Sequence, residues 1–240
     1  MKINKIDVDE DRSITIIDDA FTAGELDALY TYCISLQYKV CNVSNFDIQN
    51  ITDRRLRADL PQINITKLIA QNQEGAALRR SLCPDCGRKE TIDTEGVANI
   101  PDDNILKCIF HDNDRVANFN QVIDPEEHEF DNAYVNLGLV NDSHEIHVDG
   151  PRPKQVVTML VYPNRHWEPN WGGETAFYEE DQSELVYLNP YVPGRICIFD
   201  GSIPHCAKPQ ALIGDKYRYT VAVKFSRIEA GTNDLDYFSN

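Results

Sequence analysis

No stretch of this 240-residue chain comes near the roughly 18 consecutive apolar residues that a membrane span requires. Its opening segment, Met1-Lys-Ile-Asn-Lys-Ile-Asp-Val-Asp-Glu-Asp11, carries charges where a secretory leader needs an apolar core. The expectation is a soluble, non-exported, cytoplasmic protein. Positive charge is scarce: 23 Lys and Arg against 39 Asp and Glu leave a formal charge of −16. A chain this acidic is repelled by phosphate backbones and anionic membranes unless it hides a basic patch. The short clusters Asp53-Arg-Arg-Leu-Arg57 and Arg79-Arg80 read as solvated faces, which argues against nucleic acid as a partner. Repeats and low-complexity tracts are missing, which removes repeat architectures. With 42% hydrophobic and 26% charged residues, disorder, collagen and coiled coil fail as global descriptions. Seven cysteines, an odd count, make no disulfide framework, so reduced thiols are expected; Cys33, Cys197 and Cys206 sit within apolar patterns.

What is present divides the chain in two. Residues 1–12 read as a polar arm, followed by a strand over Ser13-Ile-Thr-Ile-Ile17. Thr22-Ala-Gly-Glu25 is a capping box, with Phe21 and Leu26 placed as a hydrophobic staple. Leu26, Leu29, Tyr30, Cys33 and Leu36 then recur at helical spacing. A second helix is expected over 65–73, loops over 81–104, a strand over 105–110, and an acidic irregular stretch over 112–131. From Asp131 the texture changes to short β-rich runs at 132–140, 145–149, 155–162, 174–178, 184–188, 195–199, 203–207 and 217–225. Eight short strands punctuated by turn residues predict a sandwich or jelly roll rather than a parallel sheet. The fold class is therefore mainly β with flanking helices (α+β). It divides into a helical and irregular support region (1–130), a β core (131–228) and a C-terminal tail (229–240), in one compact domain.

The chemistry gathers in the β half. In His144-Glu-Ile-His147-Val-Asp149, strand alternation puts Glu145, His147 and Asp149 on one face and His144 on the other, as a surface neighbour. Fifty-eight residues after His147 comes His205, at the start of a late strand. Two imidazoles and one carboxylate on one side of a metal leave the opposite positions open, an arrangement suited to non-haem Fe(II). Taken alone, His-x-Asp fits a hydrogen-bonded pair in a strand better than a metal site. Arg218 and Thr220 share a face of the last predicted strand, 13 and 15 residues after His205. A guanidinium grips a carboxylate with two parallel hydrogen bonds, and a hydroxyl two residues on adds a third. Taken alone, that arginine also fits an exposed strand end.

The ordered set His147-Val-Asp149, Trp171-Gly-Gly-Glu-Thr-Ala-Phe177, Asn189-Pro-Tyr-Val-Pro-Gly-Arg195-Ile-Cys-Ile-Phe199, His205 and Arg218-Tyr-Thr220 resembles the Fe(II)/2-oxoglutarate-dependent dioxygenases. The flanks look most like the prolyl 4-hydroxylase-like branch. The likeness covers residues 131–226, with a looser one from Ile14 to Leu36. It implies a double-stranded β-helix, or jelly roll, with iron at one mouth. His147, Asp149 and His205 would be the iron ligands, and Arg218 would bind the distal carboxylate of 2-oxoglutarate with Thr220 assisting. Lys216, one pleat earlier, is the second candidate for that clamp. Tyr134 and Asn136, on the strand before the iron motif, stand where relatives place a co-substrate hydrogen-bond donor. The implied activity uses Fe(II), O2 and 2-oxoglutarate, releases succinate and CO2, and hydroxylates a C–H bond. Halogenating relatives lack the carboxylate that Asp149 supplies, so its presence implies hydroxylation or hydroxylation-driven dealkylation. The substrate would be a protein, peptide or small molecule, with a peptidyl proline the first candidate.

Two further features are weighed beside this. Trp171-Gly-Gly-Glu-Thr175 reads as a tight turn that shapes the jelly roll, and Pro193-Gly194 as another. Trp167 and Trp171 could line the mouth or pack. Cys83-Pro-Asp-Cys86-Gly87 has the spacing of a zinc knuckle, with Cys108 and His111 as the remaining ligands of a structural site. The alternatives to the dioxygenase are thus a non-catalytic metal-binding β-sandwich, which would tolerate Arg218→Ala, and a zinc-stapled interaction protein, whose partner binding would survive loss of His147.

Overall fold

The computed structural model of the chain describes residues 1–42, 54–60, 109–110, 112–140, 142, 144–211 and 217–228. The helix expected over 65–73, the Cys83, Cys86, Cys108 and His111 set, Arg79-Arg80, Lys216 and the tail over 229–240 lie outside the described residues.

Two antiparallel sheets form the body. The larger is built from β1 (Lys2–Asp7), β2 (Ser13–Asp18), β3 (Lys39–Asn42), β4 (Arg54–Asp59), β5 (His128–Leu139), β6 (Val156–Val161), β9 (Ile196–Asp200) and β11 (Tyr217–Arg227), in the order β1-β2-β9-β6-β11-β5-β4-β3. The smaller contains β7 (Thr175–Tyr178), β8 (Leu185–Asn189) and β10 (His205–Ala207), in the order β10-β7-β8. This is the jelly-roll arrangement expected from the short, evenly spaced strands.

Strand alternation explains why both faces of the larger sheet are covered. Val157, Met159 and Val161 on β6, Ile196 and Ile198 on β9, and Tyr219, Val221, Val223 and Phe225 on β11 face one way. They pack with Leu29 and Cys33 of α1 (Ala23–Ser35) and with Val116 and Phe119 of α2 (Asn113–Phe119). The intervening residues of β9, Cys197 and Phe199, face the smaller sheet, where they meet Ile14, Ile16 and Phe177. Burying one such side chain contributes about 1.5–3 kcal/mol.

Local chemistry starts and anchors the helices. The Thr22 hydroxyl accepts from the Glu25 amide while the Glu25 carboxylate accepts from the Thr22 amide at 2.7 Å, completing the capping box. Phe21 and Leu26 both close over Gly194, whose φ of 75° serves the turn before β9. The other Glu25 oxygen accepts from Arg115 Nη2 at 3.1 Å, and both side chains are 1% exposed. Arg115 also donates to the backbone carbonyls of Ala20 and Ile109, so this buried ion pair is fully partnered and ties α2 to the start of α1.

Five expectations are corrected. The polar arm is not free: Lys2–Asp7 forms an edge strand on β2, because Asp9 accepts from the amides of Asp11 and Arg12 and closes a hairpin. Its exposure explains its polar sequence. No element was expected over 54–59, which forms β4 and pairs with β5. Ile109 and Phe110 are helical rather than extended. The stretch 112–131 holds α2, whose N-cap Asp112 accepts from the Arg115 amide at 2.9 Å. Finally, 145–149 is not a regular strand. Only His147 bridges, to His205, while the amides of Asp149 and Gly150 both donate to the Gly201 carbonyl.

Candidate metal and co-substrate site

Between the sheets, a cavity is lined by Tyr134, Asn136 and Gly138 of β5, Thr158 and Leu160 of β6, Thr175 of β7, and Arg218, Thr220 and Ala222 of β11. His144, His147, Asp149, His205 and Ala207 complete it. The β5, β6 and β11 residues are the alternate positions left over once the other face has packed on the helices.

His147, Asp149 and His205 each offer one ligand atom, and all of these atoms lie within 4.8 Å of one another. The bridge between His147 and His205 is hydrogen-bonded in both directions, at 3.0 and 2.9 Å, and sets their ring centroids 4.5 Å apart. His205 Nδ1 faces the Ile203 carbonyl at 2.8 Å, and His147 Nδ1 the Glu145 carbonyl at 3.0 Å. A proton on each Nδ1 makes Nε2 the ligating nitrogen of both rings. These Nε2 atoms stand 3.6 and 3.9 Å from the Asp149 carboxylate. Thr158 Oγ1 donates to Asp149 Oδ2 and Lys224 Nζ to Oδ1, both at 2.6 Å. Burial by itself would lift the Asp149 carboxyl, but His205, Lys224 and His147 outweigh it and hold the group well below the usual carboxylate range. Gly201 fits closely here: a Cβ would stand 3.1 Å from Asp149 Cβ and 3.0 Å from the Val156 carbonyl.

Arg218 lies at the other end of the cavity and is 6% exposed. Its Nη1 donates to Thr220 Oγ1 at 2.8 Å, its Nε to the Gly173 carbonyl at 2.7 Å, and its Nη2 to Thr175 Oγ1 at 3.4 Å. The guanidinium stands over the rings of Tyr162 and Tyr191, 5.6 and 5.2 Å from their centroids. Burial raises the pKa of both phenols, so they remain neutral dipoles beside the cation. Among the described residues, no carboxylate lies within ion-pair reach of Arg218. A buried guanidinium held by neutral groups in a cavity wall is a site for an anionic guest. Asn136, across from Thr220 in the β5–β11 pairing, has a buried Oδ1 with no hydrogen-bond partner.

The Gly172-Gly173 pair is explained by this clamp. Both have positive φ, 71° and 77°; a Cβ on Gly173 would meet Arg218 Cδ at 3.0 Å, and one on Gly172 the Pro209 carbonyl at 2.7 Å. Trp167 packs on Tyr191 with centroids 4.5 Å apart, and neither Trp167 nor Trp171 lines the cavity. The expectation for His144 is corrected. With 145–149 irregular, strand alternation does not apply, and His144 lines the cavity while Glu145 does not.

All seven candidate residues therefore share one cavity. The donor set and the waiting guanidinium fit a divalent metal and an anionic chelating co-substrate. Sequence reasoning missed Lys224, Thr158 and Thr175. Two left a signal: Thr158 is the lone polar residue in Val156–Val161, and Lys224 sits on the inward period of β11. A buried polar group in an apolar strand needs a partner.

Comparison with known proteins agrees with this geometry. Residues 133–225 match the sequence model of the 2OG-Fe(II) oxygenase superfamily. No curated protein matches the chain. Among solved structures, a Pseudomonas putida prolyl-4-hydroxylase is similar at a TM-score of 0.54 and 15% identity, covering 90% of this chain and 92% of that one. HygX from Streptomyces hygroscopicus, solved with nickel and 2-oxoglutarate bound, gives 0.54 and 12% identity, covering 95% and 91%. A Trichoplax adhaerens prolyl hydroxylase, solved with a hypoxia inducible factor peptide fragment, gives 0.53 and 14%, covering 89% and 83%. At these identities the structures speak to fold. Residues 133–225, which contain the whole triad and Arg218, carry the likeness to the 2OG-Fe(II) oxygenase superfamily, and the chain shares its fold with the prolyl 4-hydroxylases.

Proposed function

We propose that His147, Asp149 and His205 hold Fe(II), that Arg218 and Thr220 bind the distal carboxylate of 2-oxoglutarate, and that the enzyme hydroxylates a side chain of a polypeptide, proline being the first candidate. The observation that carries this reading is Arg218: a buried cation without a carboxylate partner among the described residues, in the same cavity as the triad. When bound, the metal and co-substrate supply the oxidant that hydroxylates the C–H bond, with release of succinate and CO2. The protein's own part is positional. The Ile203 and Glu145 carbonyls keep the imidazoles in their ligating tautomer, Thr158 orients Asp149, and Gly173 and Thr175 aim the Arg218 fork into the cavity. Tyr134 and Asn136 offer further donors from β5.

The peptide reading draws its support from the fold neighbours, two of which are prolyl hydroxylases, one solved with a peptide fragment. Among the described residues, no helix is long and apolar enough to cross a membrane. A cytoplasmic setting and a structural zinc on Cys83, Cys86, Cys108 and His111 belong to the same proposal; zinc content measured on the purified protein tests the latter.

The test is an anaerobic titration of 2-oxoglutarate into Fe(II)-loaded protein, followed by the visible metal-to-ligand charge-transfer band. The band is expected in the wild type, is lost in His147→Ala, and needs far more ligand in Arg218→Ala. No band from iron-loaded protein would overturn the 2-oxoglutarate reading. Peptide screening by mass gain and succinate release then addresses the substrate.

A further inference from the structure

The inward face of β11 runs Arg218, Thr220, Ala222, Lys224, and it ends in a lysine that neither the clamp nor the ligand triad accounts for. Lys224 stands opposite Thr158 of β6 and Asn132 of β5. Its side chain is only 17% exposed, and its Nζ is 2.6 Å from Asp149 Oδ1. A lysine is rarely this buried without a partner, because removing the ammonium from water is costly. Its partner, Asp149, is 6% exposed and faces the same cost. The two imidazoles stand farther off, their Nε2 atoms 3.6 and 3.9 Å from the Asp149 carboxylate. Thr158 supplies a hydrogen bond and no charge.

We propose that Lys224 is a resident counter-ion for Asp149, holding the carboxylate in the metal-free protein and weakening metal binding by already neutralising the only charged ligand of the triad. The inference rests on the metal-site reading above and gives it a sign. Lys224 and Asp149 together carry no net charge, so an arriving dication meets a neutral pair in place of a bare carboxylate. It is attracted by Asp149 and repelled by the ammonium beside it. Once loaded, the dication, Asp149 and Lys224 together keep a charge of +2 rather than +1, which strengthens the pull on a dianionic chelator. A residue that merely propped Asp149 in place would act in the opposite direction on the metal, since its removal would loosen a ligand and weaken binding.

The experiment titrates Co(II) into the metal-free full chain by calorimetry, for wild type, Lys224→Met, Lys224→Arg and His147→Ala, and then titrates 2-oxoglutarate into each Co(II)-loaded protein. Lys224→Met is expected to bind Co(II) about tenfold more tightly and 2-oxoglutarate about tenfold more weakly. Lys224→Arg keeps the charge and stays close to wild type. Unchanged or weaker Co(II) binding in Lys224→Met overturns the counter-ion role and leaves the metal site standing. Co(II) binding that is missing in the wild type, or that survives His147→Ala, overturns the metal site itself and the counter-ion with it. Should Lys224→Met fail to fold without metal, Asp149→Asn in the same chain is expected to restore folding, since neither buried charge is then left alone. A double variant no more stable than the single one overturns the proposal.

Discussion

The two faces of the larger sheet are made from alternate residues of the same strands, yet they are built to opposite rules. On the helix side, β11 presents Tyr219, Val221, Val223 and Phe225 to an apolar core. On the cavity side it presents Arg218, Thr220 and Lys224, all largely buried and all committed to polar partners. The first face stabilises by removing apolar area from water and tolerates any arrangement of about the right volume. The second is costly to bury, and each group is kept because another stands within hydrogen-bond reach. A one-residue slip of β11 would exchange the two sets and ruin both. The contrast teaches that stability and chemistry are separated here by a strand's period of two, not by distance.

Substitutions on each face sharpen or break that separation. The largest effect is expected from His205→Ala on the cavity side, which takes metal binding and turnover below detection while the circular dichroism spectrum stays native. Next, Phe225→Ala on the helix side should cost about 3–5 kcal/mol in chemical denaturation and leave the metal affinity of the folded fraction unchanged. A large change in metal affinity there would mean the faces are coupled. Arg218→Lys keeps the charge and loses the fork, and should weaken 2-oxoglutarate binding by about 1.5–3 kcal/mol with no change in melting temperature. The smallest effect is expected far from both faces: Thr22→Ala breaks the capping box and should lower stability by about 1 kcal/mol, with kinetics untouched.

Much of this was legible locally. The capping box over Thr22 to Glu25 could be read because all its partners lie within one turn. The strands at 132–140, 155–162 and 217–225 could be read because both of their faces are buried, which leaves long apolar runs with isolated polar residues. The segment 145–149 was read as a strand because its alternation is real, but its amides turn to Gly201 instead of to a ladder, and His144 enters the cavity as a result. The α2 helix was missed because its one inward charge, Arg115, looks like a solvated residue until Glu25, 90 positions away, is placed beside it.

The sequence by itself determined which donors exist and on which strand face each stands, because alternation and capping depend only on near neighbours. It also determined the order of His147, Asp149, His205 and Arg218 along the chain. Tertiary structure alone decided that these four share a cavity, that Thr158 and Lys224 grip the two Asp149 oxygens, and that Gly173 carries the Arg218 Nε–H. Each of those contacts joins residues from 9 to 75 positions apart. Contacts at that range are set by strand register and loop closure, where many side chains are satisfied at once and no short window of sequence carries the answer.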